Sequence, residues 1–538
     1  MLKKVLSIFF VSFLFICIQP VKAQFPSTSD SAQQKKQIFI IHADRLNNEK
    51  IDSIEYLSLV GNVAVRQENS LFYCDSAVMN KTSNILEAFG HVHINDEDSV
   101  DIYSDYLRYL GKEKKAYLNG NVKLTDGKGT LTTPELNYDM NTKIGIYTKK
   151  GKVVDNKTTL TSNEGYYYGE TKDVYFKKNV FLKNPDYTIT TDTLYYNTYT
   201  EVSTFIVPTV ITGEKGRQVF TSDGYYDSKN KKAYFAKRST VKDSTSVLIA
   251  DEMAIDDSTG YGEAKGNAIY HDTAQHVTIF ANHLNSNNKA SSVLATQTPV
   301  MLIEQDNDSV FIAADTLFSA KLSSLRKYRN IPAIVDSIAK DSSLHEPTDS
   351  TDRYFEAYYH VRIYSDSMQA VGDSLFYSSE DSAFRLFKNP VVWAQDNQVS
   401  GDTIYLYTKN RKPQRMYVFE NAIAIQKVAN NFYNQVKGRT INGYFKDGDI
   451  DYLRAKGNSE SIYYAQDDYK KFVGVNQATA DIIDMYFSDK NPQRVIFRSN
   501  LVGTMHPIKQ VNHNEMRLRG FKWRDDIRPK SKYDLFGN

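Results

Sequence analysis

Residues 116–124 read Ala116-Tyr117-Leu118-Asn119-Gly120-Asn121-Val122-Lys123-Leu124. Apolar or small residues stand at every second position, and polar or aromatic residues stand between them. This period-two alternation predicts a half-buried β-strand. The alternation continues through Gly120, so the glycine is predicted at an inward position of the strand. A glycine there permits a sharp bend or a close approach of another backbone segment.

The same pattern recurs along the chain at nearly regular spacing. Its centres are Gly61, Gly90, Gly120, Gly151, Lys178, Thr209, Ser239, Gly266 and Thr298, with steps of 27 to 32 residues. A period in this range indicates an array of supersecondary units. Between the centres run longer strands that carry Asp105, Pro134 or Asp192 at their middle, followed by polar turns. We therefore predict out-and-back pairs of strands, each bent near its middle.

The predicted strands are not separated by amphipathic helices, which disfavours a helical parallel-sheet solenoid. A bent antiparallel meander with one apolar face must fold over to bury that face. We predict an all-β fold in which a repeated antiparallel meander forms a V-shaped β-jelly-roll trough of stacked strands, with an apolar interior. The candidate lining residues of this trough are Val63, Val65, Val92, Ile94, Val122, Leu124, Leu136, Val180, Leu182, Ile189 and Leu194. For each of them, ordinary core packing remains the alternative.

The composition describes a folded chain without a strong charge bias. The 538 residues are 41% hydrophobic and carry a formal net charge of +2, which gives no excess charge for nucleic-acid binding. The 38 tyrosines and 28 phenylalanines favour strands. Cys74 is the only cysteine after residue 23, so neither an internal disulfide nor a zinc thiolate cluster is expected. We predict no metal site and no cofactor.

The N-terminus has the pattern of an export signal. Lys3 and Lys4 precede an apolar run, and Val21 and Ala23 fit the small-residue cleavage rule. This pattern predicts a cleaved signal peptide and an exported protein, with association with the outer membrane left open. The predicted organisation is a signal peptide (1–23), a polar arm (24–37), a first β block (38–320), an insertion or linker (321–352), a second β block (353–505) and a basic C-terminal tail (506–538).

Two short motifs recur within the predicted strands, A-x-x-x-G-N-V-x-Φ and D-x-L-x-Y. The first is carried by Ala116, Gly120, Asn121, Val122 and Leu124 and by Ala264, Gly266, Asn267 and Ala268, and the second by Asp192, Leu194 and Tyr196 and by Asp373, Leu375 and Tyr377. This succession resembles the OstA/LptA family of lipopolysaccharide-transport proteins, in particular the longer OstA-like proteins of the Bacteroidetes type. The chain is longer than a typical single-domain member.

The resemblance implies a periplasmic, non-enzymatic β-jelly-roll that serves outer-membrane biogenesis in a Gram-negative cell. Such a protein binds the lipid A acyl chains of lipopolysaccharide in its trough. Such a protein joins inner-membrane and outer-membrane transport components by adding its edge strands to their sheets, and so forms a bridge toward the outer membrane. The edges available for this in the sequence are the predicted end strands 38–41 and 501–505.

Two other classes of function remain open at this point. A surface adhesin would carry a sorting domain, and a carbohydrate-active β-solenoid would concentrate acidic and aromatic residues on one external face. The sequence contains no phosphate-binding loop, dinucleotide fingerprint or nucleophile elbow, and its carboxylates fall at predicted turns. We therefore predict a binding protein and not an enzyme.

Overall fold

The computed structural model describes residues 37–97, 99–213, 216–304, 308–331, 352–409, 412–488 and 491–536. The predicted signal peptide, nearly all of the predicted polar arm and most of the predicted insertion lie outside these residues. Strands make up 69% of the structure and helices 3%, which confirms the all-β prediction. In the described ranges, no helix is long and apolar enough to cross a membrane.

The chain divides into two compact units, Met1–Lys149 and Lys150–Asn538. The division predicted at residues 321–352 remains a prediction. Unit 1 contains β1 (Phe39–His42), β2 (Arg45–Ile51), β3 (Ile54–Gln67), β4 (Ser70–Asn80), β5 (Ile85–Asp96), β6 (Val100–Leu110), β7 (Lys115–Thr125), β8 (Gly129–Asp139) and β9 (Ile144–Tyr147). From β3 to β9 each strand pairs antiparallel with the next, and β1 and β2 both pair with β3. Unit 1 is therefore an antiparallel meander, as predicted.

Unit 2 continues the antiparallel pattern, but many of its strands are interrupted at the bend and occur as two shorter pieces. Its first strands are β10 (Gly151–Asp155), β11 (Thr158–Ser162), β12 (Glu164–Tyr168), β13 (Asp173–Lys183), β14 (Tyr187–Asn197), β15 (Val202–Phe205), β16 (Thr209–Gly213), β17 (Gln218–Thr221), β18 (Gly224–Asp227), β19 (Lys232–Phe235), β20 (Ser239–Lys242), β21 (Ser246–Ala250), β22 (Glu252–Asp256), β23 (Tyr261–Asp272) and β24 (Val277–Asn287).

The remaining strands of unit 2 are β25 (Ser292–Thr296), β26 (Val300–Ile303), β27 (Val310–Ala313), β28 (Thr316–Lys321), β29 (Arg353–Tyr364), β30 (Gln369–Ser378), β31 (Ala383–Phe387), β32 (Val391–Ala394), β33 (Asn397–Ser400), β34 (Thr403–Lys409), β35 (Lys412–Ala429), β36 (Phe432–Lys446), β37 (Asp449–Gln466), β38 (Phe472–Ser488), β39 (Asn491–Arg498) and β40 (Val502–Pro507). The described helical turns are α1 (Leu322–Leu325) and two 3₁₀ turns, Ile508–Gln510 and Lys532–Leu535. They fall in the predicted insertion and the predicted tail.

The strands bend where the sequence pattern places its centres. In β7, Gly120 and Asn121 have φ angles of +76° and +47°, and together they stand opposite the single residue Pro134 of β8. This is a two-against-one bulge, which bends the strand. The Asn121 side-chain amide donates to the Asp105 carboxylate of β6 at 2.8 Å. A Cβ on Gly120 would lie 2.5 Å from the same carboxylate, so the bend requires glycine.

The bends divide the strands of each unit into two facing leaves. In unit 1, we call leaf 1 the strand halves next to the connection between β5 and β6, and leaf 2 the halves next to the turn at 111–114. In unit 2, leaf 1 contains the turn at 243–245 and leaf 2 the turn at 257–260. The rings of Phe72 in leaf 1 and Tyr109 in leaf 2 lie 4.6 Å apart between centroids, across the interior. The trough fold is therefore confirmed.

Residues 506–536, which we call the strap, run back across the outer face of leaf 1 in unit 2. Leu518 is buried against Ile423 and Ile462. The Gln398 side-chain amide donates to the carbonyl of Lys522 at 2.7 Å. Farther along, Leu535 is buried against Val300 and Ala313. Composition indicates only a polar and basic tail, because the few apolar residues of the strap follow no strand period.

Candidate functional site

The predicted lining residues all lie in the interior between the leaves. In unit 1, Val63, Val65, Val92, Ile94, Val122, Leu124 and Leu136 are at most 3% exposed. In unit 2, Val180, Leu182, Ile189 and Leu194 are at most 1% exposed. Contact of these side chains with lipid remains a prediction.

The two leaves approach each other along the edge opposite the bends, and we call this edge the mouth. In unit 1, polar contacts bridge the mouth. The Tyr109 hydroxyl of leaf 2 donates to the Gln67 side-chain oxygen of leaf 1. The Gln67 amide nitrogen donates back to the carbonyl of Gly111, at 2.8 Å. Burial raises the pKa of Tyr109 well above its ordinary value. The hydroxyl therefore stays protonated and keeps its role as a donor.

A second bridge lies two strands farther along unit 1. The Tyr138 hydroxyl donates to the Asp96 carboxylate at 3.0 Å, and the Lys143 ammonium donates to the same carboxylate at 2.7 Å. Asp96 is 1% exposed and also accepts a bond from Ser70 at 2.7 Å. A buried carboxylate held by three donors is stable only while the leaves stay together.

The first strands of unit 2 repeat this arrangement. The Tyr196 hydroxyl donates to Asp155 across the mouth at 3.1 Å. The rings of Tyr187 and Tyr226, one on each leaf, lie 4.9 Å apart, and burial raises the pKa of Tyr226 to about 12. Farther along, the Arg217 guanidinium of leaf 1 and Asp257 of leaf 2 form an ion pair at 3.0 Å.

From this ion pair onward the interior of unit 2 contains open space. Cavity A has a volume of about 660 Å³. Its apolar wall includes Leu248, Ile255, Ile279, Met301, Ile363 and Leu386, and Asp243, Asp272 and Arg353 stand among the turns at its edge. The volume falls in the range of about 300–1,000 Å³ that is usual for small-molecule sites.

Cavity B adjoins cavity A toward the C-terminal strands and has a volume of about 950 Å³. Its wall includes Val436, Ile450, Leu453, Ile483, Met485 and Phe497. Met368, Val392, Leu406 and Met416 line both cavities, so the two cavities are neighbours that share part of their walls. An apolar space of this kind can hold hydrocarbon chains, and methionine side chains adapt to irregular occupants.

The position of cavity A follows from one row of paired residues in leaf 2. In unit 2 this row begins with Tyr196 and Tyr226. Strand pairing then leads through Ala233 to Ile255, Gly262, Ser286, Val293 and Ser319, and from there to Phe355, Tyr377 and Phe384. Ile255, Gly262, Ser286, Val293 and Ser319 all line cavity A. The cavity therefore begins where large tyrosine rings give way to smaller side chains.

Sequence reasoning missed this site. The signal is present as the 29-residue step from Tyr109 to Tyr138, which recurs from Tyr167 to Tyr196 and is lost after Tyr226. The predicted lining residues lie instead between 63 and 194, because the pattern is most regular there. Regularity of a strand pattern indicates good packing, whereas a cavity requires a departure from it.

A polar cluster on the outer face of leaf 2 lies close to the C-terminal end of unit 2. The buried Asp484 carboxylate accepts bonds from Arg454 at 2.7 Å, Arg498 at 2.6 Å and the Tyr452 hydroxyl at 2.6 Å. Burial alone would raise the pKa of Asp484, but these bonds outweigh it and hold the pKa well below its usual range. The cluster ties β37, β38 and β39 together and contains no pairing of a nucleophile with a base.

Comparison with known families gives a match in the N-terminal part of the chain. Residues 35–192 match the family model described as OstA-like protein. This segment belongs to the OstA-like family. The family is one of transport and binding proteins linked to lipopolysaccharide and organic-solvent tolerance. The matched OstA-like segment covers unit 1 and the first strands of unit 2, and it ends before cavity A. A search of curated proteins found no match.

Proposed function

We propose that this OstA-like protein carries lipopolysaccharide through the periplasm by holding its acyl chains between the leaves of unit 2. The observation that supports this most strongly is the pair of adjoining apolar cavities A and B. Each buried methylene contributes about 0.8 kcal/mol, so about ten buried methylenes contribute roughly 8 kcal/mol. Because the two cavities share walls, a chain can shift between them without full exposure to water.

The proposed location is the periplasm, reached by export with loss of residues 1–23. The lysine-flanked apolar run and the small residues Val21 and Ala23 support this proposal. The transport role of the OstA-like family agrees with it. N-terminal sequencing of the mature protein tests it. A chain starting at Gln24 is expected, and a mature chain starting at Met1 would contradict export by cleavage.

We further propose that the protein forms a bridge by adding its end strands to the sheets of inner-membrane and outer-membrane transport components. In the described part of unit 1, β1 and β2 pair only with β3, and Phe39 and Ile41 are 44% and 55% exposed. In the described part of unit 2, β39 and β40 pair only with β38, and Val502 is 69% exposed. Exposed apolar edges of this kind are suited to strand addition.

Photo-crosslinking in cells tests acyl-chain binding. A crosslinking residue at Met416, which lines both cavities, is expected to trap lipopolysaccharide. The matched control is Tyr417, the next residue of the same strand, whose side chain points to the outer face. A further position at Val122 tests whether the predicted lining of unit 1 also contacts lipid. Equal labelling at Met416 and Tyr417, or no labelling at Met416, would contradict the proposal.

A further inference from the structure

A tyrosine at one repeated position of leaf 2 fastens the mouth. In unit 1, Tyr109 and Tyr138 each donate a hydroxyl hydrogen bond to a side chain of leaf 1. In unit 2, Tyr196 does the same to Asp155. Tyr109 and Tyr138 are each 1% exposed, and Tyr196 is 5% exposed. A tyrosine here therefore fills the interior near the mouth and joins the two leaves.

At the N-terminal end of cavity A, the same row carries small residues whose polar groups are satisfied locally. Farther along, the row carries Phe355, Tyr377 and Phe384, whose rings pack on one another along the cavity wall. The Ser319 hydroxyl donates to the carbonyl of Tyr354 at 3.0 Å, within leaf 2. The Ser286 hydroxyl lies 3.5 Å from the carbonyl of Gly262. A Cβ on Gly262 would meet only the Ser286 hydroxyl within 4 Å. These residues neither reach leaf 1 nor fill the space beside it.

We propose that this position sets where the N-terminal end of cavity A begins, with Tyr196 and Tyr226 excluding an acyl chain and Gly262, Ser286 and Ser319 admitting it. The inference rests on the proposed function, because it names the residues that set the capacity of the same cavity. A tyrosine ring at Ser286 would occupy the space of several methylenes of a bound chain. Each methylene is worth about a fourfold change in affinity, so excluding about three of them weakens binding roughly sixtyfold.

The test uses the full-length protein with purified lipid A as the probe and crosslinking residues at two reporter positions. Ile279 reports on cavity A and Met485 reports on cavity B. Ser286→Tyr is expected to abolish most labelling at Ile279 and to leave labelling at Met485 within about twofold of the parent. Asn285→Tyr, which adds the same ring on the opposite face of β24, is expected to change neither.

A variant with the opposite change, from tyrosine to a small residue, tests the same inference on the N-terminal side of cavity A. Val219 of β17 pairs with Val241 of β20, and Val241 lines cavity A. Tyr226→Ser is expected to extend the cavity toward Val219 and to produce lipid A labelling there that the parent lacks.

The outcomes separate the two proposals. No labelling at Ile279 or Met485 in the parent would contradict the proposed function itself. Parent-like labelling at Ile279 in Ser286→Tyr would overturn the present inference while leaving the proposed function intact. Loss of labelling at Met485 as well would also overturn it, since the ring would then act on the whole fold and not on cavity A. Ser319→Tyr provides a second, independent variant with the same expectations.

Discussion

The bend at Gly120 provides a sharp test of how the strands are folded over. In Gly120→Ala the residue keeps a φ of +76°, which costs about 1 kcal/mol for a residue with a Cβ. The new Cβ would also lie 2.5 Å from the Asp105 carboxylate and 2.9 Å from the Asp105 Cβ, so Asp105 must move. That movement removes the hydrogen bond from Asn121, worth about 1 kcal/mol. Allowing for contact strain, the total cost is about 3 kcal/mol.

Gly127→Ala is a matched control for this variant. Gly127 has a φ of +84°, yet a Cβ there meets nothing within 4 Å. The control therefore carries the backbone strain alone, about 1 kcal/mol. Hydrogen exchange of β6, β7 and β8 in the full-length protein measures the difference. Gly120→Ala is expected to exchange roughly thirtyfold faster than Gly127→Ala, which corresponds to about 2 kcal/mol.

A double variant checks the cause of this difference. Asp105→Ala removes the carboxylate that the new Cβ would meet, so Gly120→Ala is expected to cost only about 1 kcal/mol in that background. If the two glycine variants exchange equally, or if Asp105→Ala gives no relief, the contact between Gly120 and Asp105 does not explain the need for glycine.

Three further predictions concern other parts of the chain. Asp484→Asn is expected to lower the free energy of unfolding of β37–β39 by about 2 kcal/mol in urea, a figure that allows for the partial exposure of both arginines. Because the folded pKa of Asp484 is lowered, the parent's extra stability over the variant is complete above about pH 4 and declines only as the pH falls further. A stability difference that grew on acidification would contradict this. Proline at Phe39 or Val502 is expected to leave the circular dichroism spectrum β-rich but to abolish co-purification with the inner-membrane and outer-membrane transport components. Normal assembly of both variants would refute strand addition. Leu518→Ala is expected to destabilise docking of the strap by about 3 kcal/mol, measured by limited proteolysis after residue 510, with the exposed Arg519→Ala as the unaffected control.

The period-two pattern was sufficient to predict the bent meander. Inward Val122 and Leu124, and the bend at Gly120, lie where the alternation places them, because burial of one face fixes the register of a strand. The pattern does not predict the contact between Gly120 and Asp105, because that contact joins two neighbouring strands. It also does not show that Ser286 and Ser319 line open space, because small residues occur both in tightly packed interiors and around cavities.

The strap illustrates a different limit of sequence reasoning. Leu518 and Leu535 are buried by partners far away in the chain, and neither belongs to a local repeat. Their role depends on polar anchors such as Gln398, which holds both the carbonyl of Lys522 and the amide of Arg524. Anchors of this kind have no sequence period, so they become visible only when the surfaces that they join are known.

The strap also has a consequence for the order in which the protein folds. The strands of the meander pair mainly with near neighbours in the sequence, so they can form progressively as the chain emerges from the ribosome or the export machinery. The strap instead bonds across long separations, such as the 172 residues between Arg362 and Asp534. It can dock only after the strands beneath it exist. The strap follows every described strand in the chain, so it is the last of the described segments to fold, and a chain cut before the strap would lack this closing step.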